Sequence, residues 1–125
     1  MMMNDNTRKW VKALRSGEFE QGRGRLRDGD RYCCLGVACE LYRREHPDEL
    51  DWEPHTPMTM AYNSPMTMAF AGEIVVLPVL VQNWLSLSDV TGGYDYCSLS
   101  LLNDEGRTFD EIATTIEFEP EGLFR

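Results

Sequence analysis

The feature that most constrains the fold is the stretch of residues 23–45, where alternating arginines meet a tight turn and then an apolar helical pattern. Asp28-Gly29 is among the strongest two-residue turn signals, because both residues tolerate a positive φ. The chain is therefore predicted to reverse here, so that the residues after Asp30 return beside those before Asp28. A β-hairpin placed directly before a helix indicates a mixed α and β fold.

The first arm of this hairpin carries Arg23, Arg25 and Arg27, which alternate with small or apolar residues. Residues two apart in a strand project to the same side, about 6.5 to 7 Å from one another. We therefore expect three guanidinium groups on one face of a strand, with Arg31 on the returning arm as a fourth member. Such a stripe suits an anionic ligand such as a signalling nucleotide. The alternatives are an acidic surface of the protein itself, or protection of an exposed strand edge.

An apolar face with helical spacing follows the turn and predicts the central helix of the core. Its members are Cys34, Leu35, Val37, Ala38, Cys39, Leu41 and Tyr42. Gly36 lies inside this helix, where glycine costs up to about 1 kcal/mol relative to alanine. The pattern predicts that another backbone packs closely against Gly36, and that Pro47 ends the helix.

The remaining elements are shorter. Helices are predicted near residues 8–15, after Pro78, over residues 98–103 and after Thr108, which forms a capping box with Glu111. Residues 74–77 are predicted to be a buried strand, residues 47–56 a surface loop anchored by Trp52, and the last five residues a tail. The near-repeat of residues 57–64 and 65–72 alternates at strand period, with a turn expected at Asn63-Ser64. We predict one α+β domain over residues 1–125, in which a small antiparallel sheet with the Asp28-Gly29 hairpin packs against four to five short helices.

Composition narrows the class of protein. The chain has 125 residues, a length typical of a single domain. No apolar run approaches the roughly 18 to 20 residues that cross a bilayer, so a membrane protein is not expected. The first residues lack the apolar centre of a secretory signal, which predicts a cytoplasmic location.

Charge divides the chain into two unlike parts. Residues 1–44 carry ten Lys or Arg against six Asp or Glu, a net charge of +4, whereas residues 45–125 carry two against fifteen, a net charge of −13. The total of −9 disfavours binding to nucleic acid backbones. The two parts are expected to attract each other within the fold or across a homodimer, or the acidic part is expected to meet a basic partner.

The four cysteines are Cys33, Cys34, Cys39 and Cys97. Neither a Cys-x-x-Cys pair nor matching histidines are present, so we predict structural thiols, no metal and no cofactor. A cysteine nucleophile would need His46 or His55 nearby through the fold, which makes a small hydrolase the third functional hypothesis. Residues 99–117 suggest a helix-turn-helix, but the second helix contains Asp110, Glu111 and Glu117 and no Lys or Arg, which argues against DNA recognition.

Several segments together resemble a family of small bacteriophage proteins of uncharacterised function, frequent in phages of actinobacteria. The segments are residues 10–17, Gln21 with Leu26, Tyr-Cys-Cys-Leu-Gly-Val at 32–37, Leu77-Pro78 leading to Trp84-Leu85, and Leu-Asn-Asp-Glu-Gly-Arg-Thr-Phe at 102–109 continuing to Ile112-Ala113 and Ile116-Glu117. The resemblance implies an accessory protein of the infected host cytoplasm, acting in host takeover or against host defence. The resemblance implies no particular activity.

Two main functions are therefore expected. The first is a non-enzymatic protein that binds a host or phage protein through its acidic part. The second is a protein that sequesters a nucleotide-type anion with Arg23, Arg25, Arg27 and Arg31.

Overall fold

The structure is a computed structural model that describes residues 3–55 and 67–125. Its helices are α1 (Asp5–Arg15), α2 (Cys34–Glu45), α3 (Val79–Trp84), α4 (Leu99–Asp104) and α5 (Phe109–Glu117). Its strands are β1 (Glu20–Gln21), β2 (Arg27–Asp28), β3 (Arg31–Tyr32), β4 (Trp52–Pro54), β5 (Thr67–Phe70), β6 (Gly93–Tyr94) and β7 (Cys97–Ser98). The sheet has the order β1-β3-β2-β5-β4 and is antiparallel except for the β1–β3 pair, while β6 and β7 form a separate hairpin. The predicted α+β class is confirmed.

Helix α1 is fixed at its start by a cap and along its length by a buried tryptophan. The Asn4 side chain accepts a hydrogen bond from the Thr7 amide at 2.8 Å, which satisfies one of the free N–H groups of the first turn. Trp10 is fully buried, and its Nε1 donates to the carbonyl oxygen of Cys34 at 2.9 Å. This bond joins α1 to the first turn of α2.

Helix α2 forms the centre of the core, as its apolar pattern predicts. Every residue from position 34 to position 40 is buried. A Cβ atom built on Gly36 would lie only 1.7 Å from the carbonyl oxygen of Leu26. The prediction that another backbone packs against Gly36 is confirmed, and that backbone belongs to the segment entering β2.

The Asp28-Gly29 turn is also confirmed. Arg27 lies opposite Tyr32 and Asp28 opposite Arg31 in an antiparallel ladder, and Gly29 has φ 62°. The prediction of one continuous strand through Arg23, Arg25 and Arg27 is wrong, because only Arg27 lies in a strand. Gly24 has φ 76°, and its amide donates to Asp104 Oδ1 at 2.9 Å, so the chain bends toward α4 there.

Three further expectations need correction. Trp52 begins the edge strand β4 and faces Phe70 across the ladder, so part of the predicted loop is sheet. Residues 74–77 are not a strand, because a tight turn joins Phe70 to Glu73 and leaves Val75 exposed. The predicted tail packs into the core: Leu123 is fully buried, and its carbonyl oxygen accepts from the Ser88 amide at 2.9 Å.

The near-repeat is only partly visible in the fold. Its second copy supplies β5, which pairs with β2 and β4. Its first copy and the predicted Asn63-Ser64 turn lie outside the described residues. No helix in the described ranges is both long and apolar enough to span a bilayer.

Helix α5 starts at the predicted capping box. Thr108 Oγ1 accepts from the Glu111 amide at 3.1 Å, and Glu111 Oε1 accepts from the Thr108 amide at 3.0 Å. Phe109, Ile112, Ala113 and Ile116 are buried, as predicted for the inward face. The other residues of α5 are polar, and Asp110 and Glu117 among them pair with Arg15 of α1.

Candidate functional site

The four predicted arginines have different surroundings. Arg27 donates from Nε to the carbonyl oxygen of Gly29 at 2.8 Å. Its guanidinium carbon lies 5.4 Å from the ring centroid of Tyr32 and 5.4 Å from that of Trp52. This is cation–π geometry with two rings, so Arg27 is already engaged by the protein's own aromatic side chains.

Arg31 lies on the other face of the hairpin. Neighbouring side chains of a strand alternate between faces, and the register puts Arg31 across from Asp28 rather than Arg27. Arg31 forms an exposed ion pair with Glu20 at 3.3 Å. The premise of one stripe is therefore wrong, while ligand binding by these residues stays a prediction.

Arg23 and Arg25 also have surroundings that differ from those of Arg27 and Arg31. The exposed Arg23 lies beside Gly106, at the turn between α4 and α5. Arg25 is half-buried, and its Nη1 donates to the carbonyl oxygen of Gly24 at 2.7 Å. These arginines meet different neighbours, so the structure does not arrange the four of them as one stripe.

Glu40 on α2 is a buried carboxylate, which the apolar pattern of this helix did not predict. It is only 6% exposed and accepts four hydrogen bonds. Two come from Arg43 at 2.8 Å each, one from Arg44 Nε at 3.0 Å and one from Trp52 Nε1 at 3.0 Å. Burial alone would raise the pKa of Glu40, but these donors outweigh burial and lower it to about 2.

Asn103 is a second buried polar residue, and it joins three segments. Its Oδ1 accepts from the Cys34 amide at 3.0 Å and from Gln21 Nε2 at 2.9 Å, while its Nδ2 donates to the Gly22 carbonyl oxygen at 2.8 Å. Gln21 also accepts at Oε1 from the Phe109 amide at 3.2 Å. Gln21 and Asn103 belong to the segments that carry the family resemblance, and their geometry gives them a structural role.

The buried thiols are poor nucleophiles. Burial raises the pKa of Cys33 to about 11, and it raises the pKa values of Cys34 and Cys39 as well. A thiol needs its thiolate form to attack a substrate. Within residues 3–55 and 67–125, no group of three or more His, Cys, Asp or Glu side chains is arranged to hold a metal ion.

An open recess lies between the β6–β7 hairpin and the polar residues of α5. It is an open cleft of about 410 Å³. Its lining residues are Tyr94, Leu102, Arg107, Asp110, Glu111, Thr114 and Thr115. We call it the acidic cleft. An aromatic ring and an aliphatic side chain beside a few convergent polar groups are typical of binding sites.

Two carboxylates, those of Asp110 and Glu111, line the acidic cleft. A hydrogen bond from the Thr108 backbone is the main cause that lowers the pKa of Glu111, so this group is charged at neutral pH. Asp110 is exposed and lies 3.4 Å from the Arg15 guanidinium. Arg107 lies 3.5 Å from Glu111. Burial, followed by the contact with Cys97, raises the pKa of Tyr94 to about 12, so its phenol stays protonated.

The acidic cleft was not predicted from the sequence, because no strand was predicted where β6 and β7 lie. Tyr94 lies in this hairpin, in which Gly93 pairs with Ser98 and Tyr94 with Cys97. The signal was Gly92-Gly93 followed by a short Tyr-rich segment before α4. Such a signal is weak, because strands of two residues carry almost no periodicity.

The two oppositely charged parts of the chain do meet within the fold. Lys9 lies 3.1 Å from Glu45, and Arg15 pairs with Asp110 and Glu117 across the α1–α5 contact. These pairs use few of the fifteen carboxylates after position 44. Most of the acidic excess therefore remains on the surface.

Comparison with known proteins gives a family and no activity. Neither the curated proteins nor the solved structures include a match to this chain. A family model described as a domain of unknown function, DUF8296, matches residues 2–119. Since that match covers nearly the whole sequence, the chain belongs to the DUF8296 family.

Proposed function

We propose that this protein acts by binding another protein, and that the acidic cleft receives a basic segment of that partner. The observation that carries the proposal is the cleft of about 410 Å³, which combines Tyr94 and Leu102 with the carboxylates of Asp110 and Glu111. The net charge of −9 adds a long-range attraction for a basic partner.

The cleft geometry suits a segment with one apolar anchor and flanking Lys or Arg residues. Tyr94 and Leu102 offer apolar surface, and aromatic residues are enriched at the centres of protein interfaces. A cation of the partner would compete with Arg107 for Glu111 and with Arg15 for Asp110, whose present pairs are solvent-exposed and therefore weak.

The resemblance to actinobacteriophage proteins supports placing this activity in the infected host cytoplasm, in host takeover or in counteracting defence. The sequestering of a nucleotide-type anion is a weaker proposal. Its main candidate, Arg27, is held over the rings of Tyr32 and Trp52 and bonded to Gly29. An anionic ligand would have to draw Arg27 away from these contacts.

The test is affinity capture from an actinobacterial host lysate with chemical cross-linking and peptide-level mass spectrometry. Thr115→Lys places a cation and extra bulk in the acidic cleft, on a helix position that accepts lysine well. Val79→Lys is the matched control, because it adds the same charge on the exposed face of α3, away from the cleft.

We expect wild type and Val79→Lys to retain the same partner, joined through a Lys- or Arg-rich peptide, and Thr115→Lys to bind it at least about 10-fold more weakly. Higher salt should weaken the wild-type complex. Equal retention by Thr115→Lys would refute the assignment of the cleft. Recovery of the bait alone with a small anion would favour sequestering instead.

A further inference from the structure

A second recess runs along α1 and differs in charge from the acidic cleft. It has a volume of about 570 Å³ and an apolar floor formed by Met3 and the buried Val11. The side chains at its rim are Arg8, Lys12, Arg15, Ser16 and Glu117. We call it the cationic groove. Three cations around an apolar floor suit an apolar side chain with acidic neighbours.

This chain carries such a group at the end of α5. Phe118 is 80% exposed. Glu117 precedes it in sequence and Glu119 follows it, and Glu119 accepts a hydrogen bond from the Met3 amide at 2.8 Å. A single exposed Phe is common on protein surfaces. Phe118 is distinguished by its acidic neighbours and by the cationic groove beside it.

We propose that a second copy of this chain occupies the cationic groove, with Phe118 of each copy inserted against Met3 and Val11 of the other. In this homodimer the carboxylate of Glu117 from one copy approaches Lys12 of the second copy. The proposal does not depend on the acidic cleft or on its partner.

The position of the two features determines the symmetry of the assembly. Glu117 lines the cationic groove and also the small recess that contains Phe118. The exposed Phe118 side chain, which we call the knob, therefore adjoins the groove on one face of the molecule. A two-fold axis through such a face places each knob in the groove of the other copy, and the assembly closes as a dimer. A knob and a groove on opposite faces would instead produce an open chain of copies.

The charges of the groove and of the segment around Phe118 are opposite, which supports this pairing. The rim of the groove carries three cations, and Arg15 already pairs with Glu117 within one chain. Arg8 pairs with Asp5 at 2.9 Å within one chain, so the exposed Lys12 is the cation that the acidic segment of a second copy meets. Aromatic side chains inserted in pockets commonly dominate the affinity of an interface, and the surrounding charges make it sensitive to salt.

The test is sedimentation equilibrium of the full chain over a range of concentrations, with circular dichroism to confirm folding. Wild type is expected to be a dimer. Phe118→Ala is expected to raise the dissociation constant about 100-fold or more, because both copies lose their anchor. Val79→Ala, at a 62% exposed apolar position on α3, should leave the dissociation constant unchanged.

Charge variants test the rim of the groove separately. Lys12→Glu is expected to raise the dissociation constant at least about 10-fold, while Lys12→Arg keeps the cation and should retain the dimer. A monomeric wild type overturns the proposal. A dimer whose dissociation constant is unchanged by Phe118→Ala, or by Lys12→Glu, overturns it as well.

Discussion

The buried carboxylate of Glu40 gives the sharpest prediction about stability. Its pKa falls from an ordinary value of 4.5 to about 2, because donors from Arg43, Arg44 and Trp52 outweigh the effect of burial. At 1.36 kcal/mol per pH unit, this fall corresponds to about 3 kcal/mol in favour of the folded state with Glu40 ionised. That is a large share of the roughly 5 to 15 kcal/mol by which a domain is stable.

The sign of the pH dependence follows from the depressed pKa. The unfolded chain takes up a proton on Glu40 near pH 4.5, whereas the folded chain does so only near pH 2. The contribution is therefore fully present above about pH 4.5 and is lost as the pH falls toward 2. Glu40→Gln imitates the neutral carboxyl group, so it should lower the free energy of unfolding by about 3 kcal/mol at pH 7 and by almost nothing near pH 2.

Urea unfolding of wild type and Glu40→Gln at several pH values between 7 and 2 measures this difference directly. The matched control is Glu45→Gln on the same helix, which breaks an exposed pair with Lys9 and should cost less than about 1 kcal/mol. The reasoning fails if the Glu40→Gln difference stays constant over this pH range, or if it is as small as that of the control.

Two further predictions concern backbone packing and capping. Gly36→Ala places a Cβ 1.7 Å from the Leu26 carbonyl oxygen. Thermal denaturation is therefore expected to show a loss of at least about 3 kcal/mol in the free energy of unfolding, or loss of folding. The control Gly17→Ala should cost about 1 kcal/mol, because the space there is open and only the positive φ is strained. Equal effects would contradict the close packing. Thr108→Ala should cost roughly 1 kcal/mol in urea unfolding through loss of the cap, whereas Thr115→Ala should be close to neutral; an unchanged stability of Thr108→Ala would show that the cap contributes nothing.

The parts of the fold that sequence predicted are those fixed by neighbouring residues. Asp28-Gly29 specifies its turn through φ, and Thr108 with Glu111 specifies a helix start through two reciprocal hydrogen bonds. Gly36 is a similar case, because a glycine within an apolar helical face has few uses other than close packing. The turn and the capping box act within about four residues, whereas Gly36 indicates a close approach without identifying Leu26 as its partner.

The parts that sequence missed depend on distant partners. The alternating arginines indicated a strand, but Gly24 bonds to Asp104, 80 positions away, and the backbone bends there. Leu26 donates to the Ile74 carbonyl oxygen at 2.8 Å, a contact that uses residues 74–77 as a covering segment rather than a strand. Local alternation cannot specify which distant segment supplies the hydrogen bonds.

The sequence also did not predict which polar residues are buried. Glu40, Arg43 and Arg44 have the i, i+3 and i+4 spacing of helical ion pairs, which the sequence shows plainly. Such pairs are common on exposed helix faces, where they add little to stability, so this spacing alone does not predict that Glu40 is buried. The deciding fact is Trp52, which covers Glu40 and donates to it, and no local pattern links position 40 to position 52.

The placement of charge connects the fold to the proposed binding. Arg43 and Arg44 hold Glu40, Arg27 packs on Tyr32 and Trp52, and Arg15 bridges α1 to α5. These four cations of the basic part therefore make contacts within the fold. The carboxylates after position 44 outnumber the cations there by thirteen, and exposed examples such as Asp104, Glu105 and Glu121 face solvent. Under the two proposals above, these exposed carboxylates attract a basic partner protein, whereas the cationic groove on α1 receives the acidic segment of a second copy.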